Sequence, residues 1–274
     1  MAIIDLNAIV SPTGSLYLKK NRRFQPRSSL IDACHGKYVT LKDMPIVVSA
    51  ISCSDPINGY HILALSKRGR LIMIDRKGER RYRTSHLKIK SYYVDDSFRM
   101  TILLKSGDLH SIDNICDKSK VIELGQPIHS GVAELLYQDR LCVLNDGSIV
   151  NINRLRNVST VVSKLRLIPI PHTTLAIRND MVYQLIPECI PLSNPYLVID
   201  AIDIMVGDRI VNYLITVDQV LWYYSNGCHT RMNDRHKWSR FIHTTDNKIY
   251  IEDVDKVIRT ITGKKVKLPC DIPL

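Results

Sequence analysis

Three segments of the chain share one pattern: an apolar run, a short polar stretch ending in Gly, then any residue, Leu or Ile, two residues, Ile, and Asp or Asn. They are HILALSKRGRLIMID (61 to 75), TILLKSGDLHSID (101 to 113) and LCVLNDGSIVNIN (141 to 153), whose glycines Gly69, Gly107 and Gly147 stand 38 and 40 residues apart. Apolar residues alternating on either side of Ser-Gly or Asp-Gly mark a β-hairpin, and Asp146-Gly147 fits a two-residue type I′ turn with positive φ at both positions. A period in this range is the signature of stacked repeats, because one small hairpin cannot bury its own apolar face.

Looser copies follow the same rhythm. AIVSPTGSLYLKK turns at Thr13-Gly14, TTLAIRNDMVYQLI at Asn179-Asp180, NYLITVDQVLWYY at Asp218-Gln219 and FIHTTDNKIYIED at Asp246-Asn247. Seven hairpins in 274 residues give about 39 residues per unit, close to the roughly 40 residues of a four-stranded propeller blade. The expected fold is therefore all-β, a β-propeller of seven blades closed into a ring, with residues 1–274 forming a single domain. The spacing is uneven, 55 residues between the first two turns and 28 between the last two, so the count is better fixed than the blade boundaries, with six blades the alternative to seven.

Composition bounds the alternatives. Apolar residues make up 45% of the chain, and no Pro/Gly/Ser-rich linker interrupts the repeats. No sustained amphipathic helix is visible; the best candidate, VDKVIRTI (254 to 261), is short and β-branched. The first residues, MAIIDLNAIV, lack a basic n-region and a small-residue cleavage site, and no apolar run approaches 18 residues, so an intracellular protein without membrane insertion is expected. Seven cysteines, an odd number without a CxxC pair, read as reduced thiols.

The segments GYHILALSKRGRLIMID and RLCVLNDGSIVNIN resemble the hairpin of regulator-of-chromosome-condensation repeats, in which an apolar strand, a charged turn with Gly and an alternating strand recur around a seven-bladed propeller. That resemblance implies the propeller fold. The family's Trp-Gly pair is replaced here by Ile74-Asp75, Ile112-Asp113 and Ile152-Asn153, and its Gly-Gln-Leu-Gly connector is missing. Its nucleotide-exchange activity is accordingly carried to no residue of this chain.

Charge supplies the functional expectation. The chain carries net +11, and the connectors after each hairpin's second strand hold +18 of it against −7 elsewhere. In an up-and-down blade these connectors leave from the end opposite the hairpin turn, so ring closure would gather them on one face. The candidate binding residues are Lys19, Lys20, Arg22 and Arg23; Arg80, Arg81 and Arg83; Arg235, Lys237 and Trp238; and Lys264, Lys265 and Lys267. Phe24, Tyr82 and Trp238 add aromatic surface for stacking or burial against a partner. Such a face suits an acidic protein or nucleoprotein, with a nucleic acid or chromatin as the alternative.

Chemistry is sparse by comparison. No GxSxG, HExxH, P-loop or calcium-loop pattern occurs, so no catalytic residue, cofactor or metal is assigned; an enzyme with its site at a central channel is the third reading. Asp75, Asp113 and Asn153 recur at equivalent strand ends and read as turn formers. Cys228, His229, His236 and His243 cluster within sixteen residues, at spacings that match no usual zinc pattern.

Overall fold

The computed structural model describes residues 7–11, 13–22, 24–26, 31–35, 37–55, 59–84, 86–94, 99–113, 122–136, 141–151, 161–163, 168–169, 175–178, 181–185, 190–192, 197–206, 209–225, 228–232, 235–242 and 249–266. Among them every regular element is a β-strand, in small antiparallel sheets. The chain divides into two compact units, Ala2–Leu135 and Leu136–Leu268.

In the first unit β1 (Ala8–Val10), β2 (Leu16–Lys19), β3 (Ile31–His35) and β4 (Tyr38–Leu41) pair in the order β1-β2-β4-β3. The meander β5 (Val47–Asp55), β6 (Gly59–Ser66), β7 (Leu71–Asp75), β8 (Arg80–Tyr82) follows, then β9 (Ile89–Val94), β10 (Met100–Leu104), β11 (Leu109–Ile112) and finally β12 (Val132–Leu135). The long gap between the first two hairpins has a simple cause. β3 precedes β4 in sequence but lies outside it, so an extra hairpin turns back before the chain moves on.

The apolar runs that define the repeat are buried on both faces. Side chains alternate across a strand, and in β6 and β7 Ile62, Ala64, Ile72 and Ile74 face one core with Leu16, Leu18 and Val39. Leu63, Leu65, Leu71 and Met73 face a second core with Ile89, Met100 and Ile102. Both sets are essentially inaccessible to solvent, and each large side chain contributes about 1.5–3 kcal/mol by leaving water.

The second unit repeats the scheme. One sheet contains β13 (Leu141–Leu144), β14 (Ile149–Asn151) and β15 (Val161–Ser163); another β16 (Ile168–Pro169), β17 (Leu175–Arg178), β18 (Met181–Gln184) and β19 (Ile190–Leu192). β20 (Val198–Val206), β21 (Arg209–Thr216), β22 (Leu221–Ser225) and β23 (Cys228–Arg231) form a third, and β24 (Trp238–Ile242), β25 (Tyr250–Asp253) and β26 (Ile258–Thr260) a fourth. The segment 254–261, the best helical candidate, is a turn leading into β26.

The hairpin loops differ from the expected two-residue turn. Gly147 N–H donates to the Leu144 carbonyl at 2.9 Å and Leu144 N–H to Ser148 at 2.9 Å, which leaves three loop residues. Only the third is left-handed: Gly147 at φ 83°, like Gly69 at 82° and Gly107 at 92°. This is a type I turn closed by a glycine bulge, which demands one positive φ rather than two. The same loop recurs without glycine at Gln219 (φ 65°) and Lys256 (φ 63°). Lys256 stands 37 residues after Gln219 and restores the period, so the last repeat's turn is here. Asp246-Asn247, the turn expected from sequence, lies outside the described residues, as do Asn179-Asp180.

Carboxylates staple turns at both ends of the strands. Asp75 Oδ1 accepts from the N–H groups of Lys77 and Glu79 at 2.8 and 3.0 Å. Asp253 Oδ1 does the same for Asp255 and Val257, while its Oδ2 receives Arg259 Nε at 2.7 Å. Asp113 instead pairs with Arg99 at 2.9 Å on the surface, and Asn153 lies outside the described residues.

Burial pushes the Asp253 and Glu252 carboxyls up, but bonds from Arg259 to the first, and from Arg240 and Lys256 to the second, hold both below the ordinary carboxylate range. A depressed folded pKa contributes stability above the unfolded value, near pH 4, that is lost as pH falls through the folded value. Arg259→Ala removes the cation from Oδ2 of a carboxylate that is 3% exposed, leaving its Oδ1 on two N–H donors, and is expected to cost about 2 kcal/mol at pH 7. That loss shrinks in urea titrations near pH 3. Arg240, at 48% exposure, is expected to give less than about 1 kcal/mol on the same substitution.

Candidate interaction surface

Backbone bonds define two ends for the sheets of the first unit. At the hairpin end each loop receives the start of the next sheet: Val47 N–H donates to Gly14, Ile89 to Gly69 and Val132 to Gly107, at 2.9, 3.0 and 2.9 Å. At the opposite end β2 runs out into Lys19 and Lys20, and β7 into the Asp75–Glu79 turn. Gln25 N–H donates to the Arg76 carbonyl at 3.2 Å, and Lys20 N–H to Lys37 at 2.6 Å. The loop after β2 is thereby clipped to the turn after β7.

Lys20 and Arg22 are exposed there and Lys19 half-buried, beside exposed Arg76 and Lys77. Arg76 and Lys77 were missing from the candidate residues, although RKGE directly after Asp75 was the available signal. Arg23 lies outside the described residues. Phe24, expected as a stacking surface, is wholly buried, edge-on to Tyr60 with ring centroids 6.5 Å apart. Asn21 Oδ1 accepts the Phe24 N–H at 2.9 Å, and that turn folds the ring inward.

The next group disperses. Arg81 is exposed on β8, and Arg80 spends its guanidinium on the Lys42 and Asp43 carbonyls, the latter at 3.0 Å. Arg83 has travelled back to the hairpin end, where its N–H meets the Leu71 carbonyl at 3.0 Å and the residue is 5% exposed. It is part of the packed interior.

In the second unit Lys264 and Lys265 are exposed on the turn after β26, and Lys267 lies outside the described residues. Arg235 and Lys237 are exposed but precede β24 at the hairpin end, where Lys237 Nζ donates to the Asp218 carbonyl at 3.0 Å. Trp238 is core, 2% exposed against Ile202, Ile215, Leu221, Phe241 and Ile251. The connector cations therefore do not share one face within either unit. Each connector contains both a turn at one end and a return strand to the other, and sequence does not mark where one becomes the other.

The cysteine and histidine cluster is likewise divided. Cys228 is exposed at the start of β23, His229 rests on Tyr224 at 4.6 Å between rings, and His236 meets the edge of Trp238 at 5.5 Å. His243 lies outside the described residues. Among those described, no three His, Cys, Asp or Glu side chains gather as a metal site would require. Cys53 and Cys142 are free and buried, and desolvation pushes the Cys142 thiol up to about 12, far from a reactive thiolate. No helix among the described residues is long and apolar enough to cross a membrane.

No family model matches the chain, and no curated protein matches it. Among solved structures it is similar to the Dos1 propeller, at 8% identity over 95% of this chain and 79% of that one, with a TM-score of 0.49. It is also similar to BamB from Moraxella catarrhalis (12% identity, 88% and 94% covered, TM-score 0.40) and to BBS1N in complex with ARL6DN (11%, 93% and 71%, TM-score 0.39).

Proposed function

We propose that the repeats close into a single seven-bladed β-propeller domain over residues 1–274 and that the protein is a non-catalytic, intracellular interaction platform for an acidic protein or nucleoprotein. The reading is carried by the clip between Gln25 and Arg76. It sets Lys19, Lys20 and Arg22 beside Arg76 and Lys77, so five cations share one end of two neighbouring sheets. Lysine and arginine heads grouped this way attract a partner's carboxylates or phosphates over a Debye length of about 8–10 Å.

The burial of Phe24 and Trp238 favours protein over nucleic acid. Binding to single strands relies on base–aromatic stacking worth about 1–3 kcal/mol per base, and two of the three aromatic residues read for that role are occupied in cores. Lys264 and Lys265 form a smaller exposed pair in the second unit.

The test is charge reversal of Lys19, Lys20, Arg22 and Arg23 to Glu, with binding to immobilised polyglutamate and to a single-stranded oligonucleotide measured across a salt series. Polyglutamate affinity is expected to fall by about tenfold or more and its salt dependence to flatten. Unaltered affinity and slope would remove this end of the sheets as the docking face. Retention of the oligonucleotide in preference to polyglutamate would select the nucleic-acid alternative.

A further inference from the structure

The hairpin end carries a second surface. Four strands that open their sheets, β5, β9, β20 and β24, bulge at the same place. Register slips occur between Val47 and Ser49 in β5, Val198 and Asp200 in β20, and Trp238 and Arg240 in β24, and opposite Leu103–Leu104 at Lys90 in β9. A bulge leaves one residue unpaired and re-aims its side chain. The residues so displayed are Val48, Lys90, Ile199 and Ser239, all but the last exposed.

Two residues before each bulge a fixed bond recurs. The carbonyls of Ile46, Lys88, Leu197 and Lys237 accept the N–H of Lys67, Lys105, Val217 and Val254, at 2.8, 2.8, 2.9 and 3.1 Å. Sequence periodicity alone would have placed the bulged residues by simple alternation. The outcome in both units is aliphatic side chains held in solvent, Ile46 and Val48 at 54% and 46% exposure, Leu197 and Ile199 at 50% and 49%. A pair of exposed aliphatics at one position of one strand is ordinary. The same pair at the same bulge of two separate sheets is built.

In the first unit the loops at this end carry exposed cations. Lys67 and Arg68 follow β6, Lys88 precedes β9 and Lys105 follows β10; all are exposed, and none forms an ion pair among the described residues. Of the loop acids, Asp108 is already engaged, accepting Ser106 Oγ and Ser130 Oγ at 2.7 Å each, and Asp43 stands exposed three residues before Ile46. We propose that this rim docks an acidic peptide segment whose Leu or Ile side chains cover Ile46 and Val48 while its carboxylates meet Lys67, Lys88 and Lys105. Phosphate backbones would use the cations and leave the aliphatics wet. A partner that alternates both chemistries uses both, with the apolar contact giving affinity and the charges setting register and on-rate.

The surface lies at the opposite end of the strands from Lys20 and Arg22, so its test separates the two. The probe is a fluorescein-labelled peptide in which Leu and Ile alternate with Asp and Glu, titrated by anisotropy against the full chain. Lys67→Glu with Lys88→Glu is expected to weaken binding about tenfold or more, and Ile46→Ser with Val48→Ser similarly, while Lys20→Glu with Arg22→Glu leaves it unchanged. A peptide with Ser in place of Leu and Ile is expected to bind about tenfold more weakly. Ile46 also covers Gly14, so the lysine pair, which touches no core, carries the test if the serine variant melts early. The proposal is overturned by absence of peptide binding, by equal binding of the Ser peptide, or by wild-type affinity in the lysine variant. It is equally overturned if an oligonucleotide or phosphatidylserine vesicles bind at these lysines in place of the peptide.

Discussion

Gly69→Ala is expected to destabilise the first unit by about 3 kcal/mol, whereas Gly59→Ala costs only about 1 kcal/mol. Both glycines have the same backbone, φ 82° and 77°, so the penalty for a left-handed alanine is shared. Their surroundings differ. A Cβ on Gly59 meets nothing within 4 Å, while one on Gly69 falls 2.8 Å from Ile89 O and 2.9 Å from Ile89 N. Those atoms are backbone and cannot swing aside.

Relief at Gly69 requires β9 to move away, which stretches the 3.0 Å bond from Ile89 N–H to the Gly69 carbonyl and lifts Ile89 out of the core it shares with Leu71 and Met100. Urea denaturation of both variants measures the difference. Asparagine sharpens it, because Asn tolerates left-handed φ but keeps its Cβ: Gly59→Asn is expected to be nearly neutral and Gly69→Asn as costly as alanine. Equal losses at the two positions would mean that φ alone constrains Gly69 and that the loop does not bear on β9.

The repeat was legible where residue type and geometry coincide. Gly69, Gly107 and Gly147 occupy the one left-handed position of each loop, and their apolar flanks became strands buried on both faces. It was illegible at Lys256, which adopts the same φ without glycine, nine residues after the position that Asp246-Asn247 suggests. The two ends to which the connector cations go were illegible for a related reason. A connector's charge can be summed from sequence, but Arg83 follows the return strand β8 into the interior whereas Arg22 stays on the loop after β2 in solvent. The bulges at Val48 and Ile199 break the period of two on which any reading of inward and outward positions depends, so aliphatic side chains that look like core stand in water.

Phe24→Ala is expected to cost about 3–5 kcal/mol, and Arg22→Ala, two residues away in the same polar run, less than about 0.5 kcal/mol. Phe24 is 0% exposed in the core that also holds Leu18, Tyr60, Ile62 and Ile74. Truncating it opens a cavity beside Tyr60, whose ring loses its edge-on neighbour. The surrounding strands close that space poorly, because Ile62 and Ile74 lie on sheet backbone that is also fixed by the Leu63 and Met73 side packed into the next core.

The same substitution separates two roles for the ring. Were Phe24 a surface for stacking, as its setting among Asn21, Arg22 and Arg23 first implies, Phe24→Ala would leave the melting temperature in place and weaken only polyanion binding. With the ring in the core, the melting temperature falls by roughly 10 °C, at about 2–4 °C per kcal/mol for a chain of this size. Phe24→Leu recovers most of that loss, since an aliphatic side chain refills the volume without any capacity to stack. Stability that tracks the volume of the side chain, measured alongside polyglutamate affinity at a temperature where both variants remain folded, places Phe24 as the anchor that holds the Lys20–Arg22 loop against β6 and β7.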